Sequence, residues 1–225
     1  METFKKVLLI ALAVVLAIAL ATAAIIGTFL LQLRSRTAAL ADDWPARTAA
    51  LTEPVQAGPE DTITQQESCG YAVLELFGQF AGVPVTEAQL AQAHDTVVTA
   101  TADGFCREMN LLFPDYTTRK EVWLPDSVLL TALYDSLRAG IPVPIQWAAE
   151  KDGVWTLHYS LVTGLDLPGD RVTVLNPFGL VEQLPVLDFL DRTSFRSFRD
   201  MPFWMTMAFA LDVFEKNTVF LPLEN

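Results

Sequence analysis

The feature that most constrains this chain is an uninterrupted apolar segment near its amino terminus. From Val7 to Leu33, 27 consecutive residues carry no charge, and the segment is flanked by Lys5-Lys6 and by Arg34. As a helix it would extend about 40 Å, more than the ~30 Å hydrocarbon thickness of a bilayer. We therefore predict one membrane-spanning helix within residues 1–36, followed by a folded body.

A cleaved signal peptide is the alternative to an uncleaved anchor, because Ala21-Thr22-Ala23 is similar to a small-residue cleavage site. The apolar segment continues through Ile25 to Leu31, however, beyond the roughly 7–15 residues of a signal-peptide core. The prediction is thus a single-pass anchor in the cell membrane. Because only six residues precede the span, we expect a cytoplasmic amino terminus and an extracytoplasmic body.

The body is acidic, with 11 basic against 26 acidic residues after position 36. Such a surface repels phosphates, so nucleic acid is not an expected partner. Hydrophobic residues make up 52% of the chain and charged residues 19%, which favours a folded domain over disorder. Residues 37–60 contain three prolines and little apolar periodicity, so we interpret them as a linker and residues 61–225 as one domain.

Within this domain the hydrophobic periodicity predicts helices first and strands afterwards. The predicted helices are Cys69–Phe80, Thr86–His94 and Ser127–Arg138, and the predicted strands are Ile141–Trp147, Val154–Leu165, Arg171–Leu175 and Thr218–Leu221. The apolar stretch Met201–Phe214 is too short to span a bilayer and is interpreted as a buried helix. This order is typical of the α+β class.

Cys69 is the residue best placed for nucleophilic chemistry, because it lies where a polar loop turns into the first helix of the domain. The free N–H groups and the dipole at a helix amino terminus both stabilise a thiolate. Gly70 leaves room for a substrate carbonyl, and Gln65 or Gln66 can donate a side-chain N–H to an oxyanion. The alternatives are a buried cysteine that only packs and, in an oxidising compartment, a disulfide to Cys106.

His158 lies on the more polar face of a predicted strand. If this strand pairs with the next one through a wide loop, with Gly164 opposite Asp170, His158 falls opposite Asn176. An Asn carbonyl at that position would hold the imidazole in one tautomer. A tight turn at Pro168-Gly169 would separate the two side chains, but Pro-Gly favours a type II turn, which splays hairpins. A histidine with a purely structural role is the alternative.

The four Cys and His residues of the chain match no zinc signature, so neither a metal nor another cofactor is expected. His94 closes a predicted helix, where a cation is favourable. Cys106 has no acid or base at motif spacing.

Four blocks of the sequence resemble the papain-fold cysteine peptidases related to the bacteriocin-leader (double-glycine) peptidases. In order they are Gln65–Ala72 (QQESCGYA), Leu137–Val143 (LRAGIPV), Leu157–Gly164 (LHYSLVTG) and Val174–Gly179 (VLNPFG). They extend over about 115 residues, most of the predicted domain. The resemblance implies a papain-like fold, in which amino-terminal helices pack on an antiparallel sheet.

Residue by residue, the resemblance implies that Cys69 is the nucleophile and His158 the general base and then acid. It further implies that Asn176 orients the imidazole and that Gln65 donates to the oxyanion. The glutamine is closer to Cys69 than is usual in papain-like enzymes, so Gln65 and Gln66 both stay open.

Three further positions depart from the family pattern. Tyr71 replaces a common proline, Leu157 replaces the usual glycine before the histidine, and Asn176 stands where this branch more often has aspartate.

The expected function is that of a membrane-anchored thiol hydrolase that cleaves a peptide or amide bond in a peptide or protein substrate. One alternative is a catalytically inactive, anchored binding module of the same fold. Another is a thiol acyltransferase, which would use the same residues. No oligomeric state is predicted.

Overall fold

The computed structural model describes residues 2–225 and has the predicted α+β architecture, with one long apolar helix and an antiparallel sheet. The helices are α1 (Glu2–Ala38), α2 (Trp44–Arg47), α3 (Cys69–Ala81), α4 (Glu87–Ala93), α5 (Ala102–Leu112), α6 (Asp126–Arg138), α7 (Val186–Thr193) and α8 (Phe203–Ala210), with a short 3-10 helix at Val98–Ala100. The strands are β1 (Val55–Gln56), β2 (Tyr116–Glu121), β3 (Val143–Lys151), β4 (Val154–Asp166), β5 (Arg171–Asn176), β6 (Leu180–Leu184) and β7 (Thr218–Glu224).

Helix α1 is a single helix of 37 residues that is long and apolar enough to cross a membrane. Most of its apolar side chains are exposed, and Leu33 is its buried residue. Leu33 packs with Phe195 and Phe209 of the body. One turn later, Arg36 forms an ion pair with Asp212 at 2.6 Å. The carboxyl end of α1 is therefore docked on the body.

The segment predicted to be a linker contacts the body at several points. Leu40 is buried, and its carbonyl accepts the N–H of Asp126 at 2.8 Å. The carboxylate of Asp42 accepts both the N–H and the hydroxyl of Ser127 in the first turn of α6. Farther on, β1 adds to β4. The segment is therefore packed on the body and is not an extended spacer. The sequence does not predict this packing, because single residues from separate turns are buried and leave no periodic pattern.

The sheet has the strand order β2-β7-β3-β4-β5-β6, with β1 also paired to β4. On one face, residues such as Trp147 and Val174 pack under α6 and α7. On the other, Tyr159 and Leu161 pack against α3 and α5. The alternation predicted for β4 is confirmed, and it places the side chain of His158 on the face of Trp147, its cross-strand neighbour.

The loop between β4 and β5 is tighter than predicted. Asp166 lies opposite Arg171, so four residues, 167–170, form the connection. The Asp166 carboxylate accepts the N–H of Gly169 at 2.9 Å and pairs with Arg171 at 3.1 Å, while Asp170 adopts a left-handed φ of 49°. These side-chain and backbone features close the turn. The hairpin is therefore not splayed, although the type II preference of Pro-Gly predicted a wider loop. The predicted pairing of Gly164 with Asp170 is wrong.

Helix α3 agrees closely with its prediction, and Gly82 ends it in the left-handed conformation with φ 69°. Helix α4 begins at the predicted Thr86 cap with a full capping box. Helix α8 is shorter than the predicted helix and is not buried throughout, since Phe203 and Trp204 are more than 60% exposed.

We expect Asp42→Ala to destabilise the protein by about 1–2 kcal/mol, because α6 loses the acceptor for its first-turn N–H. The neighbouring Asp43 is exposed and makes no side-chain cap bond, so Asp43→Ala is the matched control and should be close to neutral. Urea unfolding of the full chain in detergent, followed by tryptophan fluorescence, measures both. Equal, negligible effects would mean that this segment is a free linker after all.

Candidate active site

The loop that precedes α3 runs beside the end of β5 and so brings the helix start to the sheet. The N–H of Gln65 donates to the carbonyl of Pro177 at 2.8 Å, and the hydroxyl of Thr62 donates to the carbonyl of Asn176 at 3.1 Å. Thr64 forms an isolated antiparallel bridge with Phe178. Cys69, at the head of α3, therefore lies next to β4 near the point where β5 ends.

A buried carboxylate fixes the last residues before Cys69. Glu87 is 5% exposed and accepts the N–H groups of Gln66 at 2.8 Å, Glu67 at 2.7 Å and Ser68. Three consecutive N–H donors on one carboxylate form a strong, charge-assisted cluster. It places a negative charge close to the Cys69 sulfur.

The Cys69 thiol faces backbone N–H groups, as predicted for a helix amino terminus. Burial nevertheless raises the pKa of Cys69 above its ordinary value, and the charge of Glu87 adds to this. The N–H groups of Tyr159, Gly70 and Cys69 itself oppose the shift without cancelling it. The expectation of a stabilised thiolate is therefore wrong for the resting protein, because desolvation outweighs the donors.

Gly70 does not open space for a substrate. A side chain at this position would put its Cβ 2.4 Å from the hydroxyl oxygen of Thr99. The glycine is buried, and it allows α3 to pack closely against the 3-10 helix. The predicted role of Gly70 in substrate access is therefore wrong.

His158 and Asn176 are in contact, although not through the predicted register. A β-bulge between Val162 and Gly164 shifts the β4–β5 pairing by one residue and leaves Leu161 opposite Leu175. Asn176 is then a diagonal neighbour of His158, within reach of its ring. The Nε2 atom of His158 lies 2.9 Å from the Oδ1 atom of Asn176, so the predicted contact is confirmed while the predicted direct opposition is wrong.

The neighbours of Asn176 determine which ring nitrogen of His158 carries the proton. The Asn176 Nδ2 atom donates to the carboxylate of Glu182 at 2.6 Å, and the Phe178 N–H donates to Asn176 Oδ1 at 3.0 Å. Both contacts require Oδ1 to face His158, and this oxygen can only accept. Nε2 therefore carries the hydrogen, and Nδ1 is left as the unprotonated, basic nitrogen of the neutral ring.

The imidazole is almost fully shielded from water. His158 is 1% exposed, and the Phe178 ring stacks on it with 4.0 Å between centroids. Burial lowers the pKa of His158 to about 4, against the opposing effect of the Asn176 hydrogen bond. The ring is therefore neutral at physiological pH.

Four residues that support this arrangement were not predicted as site residues from the sequence. Glu182 holds the Asn176 amide and pairs with Arg192, and the Arg192 guanidinium lies 3.6 Å from the centre of the Trp147 ring. Trp147 is the cross-strand neighbour of His158. Glu182 and Arg192 come from β6 and α7, which the periodicity did not predict. Phe178 carried the best signal, as an aromatic residue two positions after Asn176.

The remaining candidate residues, Gln65, Gln66 and Cys106, differ in their burial and in their hydrogen bonds. Gln65 is half-buried, and its buried Oε1 atom makes no hydrogen bond within residues 2–225. Gln66 is exposed, and its amide donates to the carbonyl of Thr64 at 3.1 Å. Both cysteines are free thiols, and Cys106 donates to the carbonyl of Thr118 at 3.5 Å. The structure thus has no disulfide between Cys69 and Cys106.

Cys69 lies with α3 on the Tyr159 face of the sheet, whereas the side chains of His158 and Asn176 lie on the opposite face, that of Trp147, and Gln65 lies beside the end of β5. The sulfur faces the N–H of Tyr159, the residue that follows His158. Over the described chain, 2–225, no hydrogen bond joins the sulfur to the imidazole. A buried base and a neutral thiol can carry out nucleophilic attack together only if a movement at this edge of the sheet brings them to the same side.

No protein-family model and no curated protein matches this chain.

The low pKa of His158 predicts that the free energy of unfolding depends on pH. The unfolded chain protonates this histidine near its ordinary pKa of 6.5, whereas the folded chain does so near 4. The unfolded state therefore binds more protons between these values, and the free energy of unfolding should fall by about 3 kcal/mol from pH 6.5 to pH 4. Urea unfolding at a series of pH values measures this loss.

In His158→Gln this part of the pH dependence should disappear. Cys69→Ser, a change in the same site that keeps the histidine, should retain it. If His158→Gln loses stability on acidification as steeply as the unchanged protein, the buried, neutral histidine is refuted.

Proposed function

We propose that the protein is a membrane-anchored thiol hydrolase of papain-like fold that cleaves a peptide or other amide bond. Cys69 would act as nucleophile and His158 as general base and then acid. The observation that carries the proposal is the hydrogen bond between His158 Nε2 and Asn176 Oδ1, since it leaves Nδ1 free to accept a proton. The substrate class is a peptide or protein.

In the proposed reaction, the Cys69 sulfur attacks the carbonyl carbon while its proton passes to His158 Nδ1. A C–S bond forms, and the carbonyl oxygen becomes an oxyanion. The C–N bond then breaks, and the imidazolium gives its proton to the leaving amine. Water, deprotonated by the same nitrogen, hydrolyses the thioester, releases the carboxylic acid and restores the thiol.

The oxyanion would be stabilised by the backbone N–H of Cys69 and the side-chain amide of Gln65. Gln65 is favoured over Gln66 because it is half-buried and its Nε2 donates to no acceptor within residues 2–225, whereas the Gln66 amide is exposed and already donates to Thr64. The start of α3 adds the favourable end of its dipole.

The resting state of the proposed enzyme is a neutral pair rather than a thiolate and an imidazolium. Burial raises the pKa of Cys69 and lowers that of His158, and both shifts disfavour charge in the empty site. The proton transfer is therefore proposed to occur with the attack, and it requires a movement at this edge of the sheet, because Nδ1 and the sulfur lie on opposite faces in the empty site.

For location, we propose a single-pass protein of the cell membrane with an extracytoplasmic body. The length and hydropathy of α1 support the anchor.

A catalytically inactive, anchored binding module is a second candidate. It is favoured by the placement of the sulfur and the imidazole on opposite faces of the sheet, by the lack of a hydrogen bond between them within residues 2–225, and by the raised pKa of Cys69. In that case the two residues would be structural neighbours only, and neither would change the reactivity of the other. A thiol acyltransferase would use the hydrolase residues with an amine in place of water.

The test is covalent modification of Cys69 by a peptidyl acyloxymethyl ketone, which presents a carbonyl and a peptide to the site. Cys106→Ser serves as the background, so that one thiol remains. At pH 7 we expect an adduct on Cys69, formed at least about 100-fold more slowly in His158→Ala because the base is lost. Intact-mass spectrometry measures the rate, and His94→Ala, the matched histidine control, should react as the background does.

Equal rates in the His158→Ala and background proteins would exclude the hydrolase and support the inactive module. Incubation with a peptide mixture then separates the two enzymatic possibilities. A hydrolase releases new carboxyl termini, whereas added glycinamide accumulates as an amide on the products of a transferase. Cys69→Ala should do neither.

A further inference from the structure

A groove of about 600 Å³ lies between the carboxyl end of α1 and the body. On the helix side it is lined by Leu30, Leu33 and Thr37, and on the body side by Thr206 and Lys216. Leu33 is the last residue of the uncharged segment that is long enough to span a bilayer. The groove therefore lies where α1 passes from hydrocarbon to the headgroup region.

Lys216 is an unpaired, buried cation in this groove. The residue is 7% exposed, and over residues 2–225 its ammonium makes no ion pair and no hydrogen bond. Its ammonium lies 5.3 Å from the centre of the Phe209 ring. Burial lowers the pKa of Lys216 to about 8, and the charge of Arg196 adds to this shift. A buried charge without a partner is costly unless a ligand of opposite charge neutralises it.

Two further groups line the groove without a partner in the described part of the chain. The hydroxyl oxygen of Thr37 is buried and makes no hydrogen bond. Arg34, at the first charged position after the apolar segment, forms no ion pair. Arg196 also lines the groove, but Asp126 and Asp191 already neutralise it. The groove thus combines two free cations and a hydroxyl donor with an apolar floor.

We propose that this groove binds an anionic phospholipid, with its phosphate against Lys216 and Thr37 and an acyl chain along Leu30 and Leu33. The apolar side chains continue directly from the exposed apolar surface of α1, so a lipid reaches the groove without leaving the bilayer. A free phosphate would satisfy the cations but leave the apolar floor exposed. The proposal is independent of the chemistry at Cys69.

The test uses the full chain in detergent micelles, titrated with phosphatidylglycerol or phosphatidylcholine and observed by native mass spectrometry. We expect one tightly retained phosphatidylglycerol and weaker retention of phosphatidylcholine. Lys216→Gln should weaken phosphatidylglycerol retention about tenfold, the effect of losing one charge-assisted hydrogen bond. Arg107→Gln makes the same charge change at an exposed position on α5, away from the groove, and should have no effect.

Thr37→Val provides a second variant in case Lys216→Gln alters the fold, and it should also weaken retention. Equal retention by the unchanged protein, Lys216→Gln and Thr37→Val would overturn the proposal. So would equal retention of the two lipids. Displacement of the lipid by millimolar inorganic phosphate would identify the site as a phosphate site and overturn the lipid assignment, whereas resistance to phosphate supports it.

Discussion

The side chain of Asn176 is the point at which the parts of the candidate site are joined. Its oxygen accepts from His158 and from the Phe178 backbone, its nitrogen donates to Glu182, and its backbone carbonyl accepts from Thr62. Through these bonds one residue at the end of β5 orients the imidazole, holds the ring that covers it and positions the loop before α3. Because the amide is bound on both sides, it has one orientation only, and this fixes the tautomer of the histidine.

The burial that makes this arrangement possible also limits its reactivity. Phe178 and the neighbouring strands exclude water from His158, and a buried imidazole resists protonation. The same physical effect raises the pKa of Cys69, even though α3 directs N–H groups at the sulfur. In a site that excludes water, every charge formed must be stabilised by neighbouring dipoles, and here those dipoles lie at the start of α3 and on β4. A bound substrate would supply the carbonyl oxygen on which negative charge develops and which these dipoles can stabilise.

The sequence predicted the elements that carry strong local signals and failed where side chains from distant elements decide the outcome. Helices α3 and α4 have a clear apolar stripe or a capping box, and both were located well. The β4–β5 register depended on a bulge near Thr163 and on a turn closed by Asp166, neither of which a period-2 pattern contains. The contact between His158 and Asn176 survived the register error because diagonal neighbours are still within reach of a long side chain.

The connection between α1 and the body follows from the same limit on local patterns. Prolines and weak periodicity in residues 37–60 indicated a linker that holds the domain off the membrane, but Leu40 and Asp42 bind the first turn of α6, and Arg36 binds Asp212. A flexible linker would let the body explore many orientations, whereas contacts on both sides of Ala38 remove that freedom. The acidic body is therefore held close to the end of the apolar helix, where the ammonium of Lys216 forms no ion pair within residues 2–225 although the domain is rich in carboxylates.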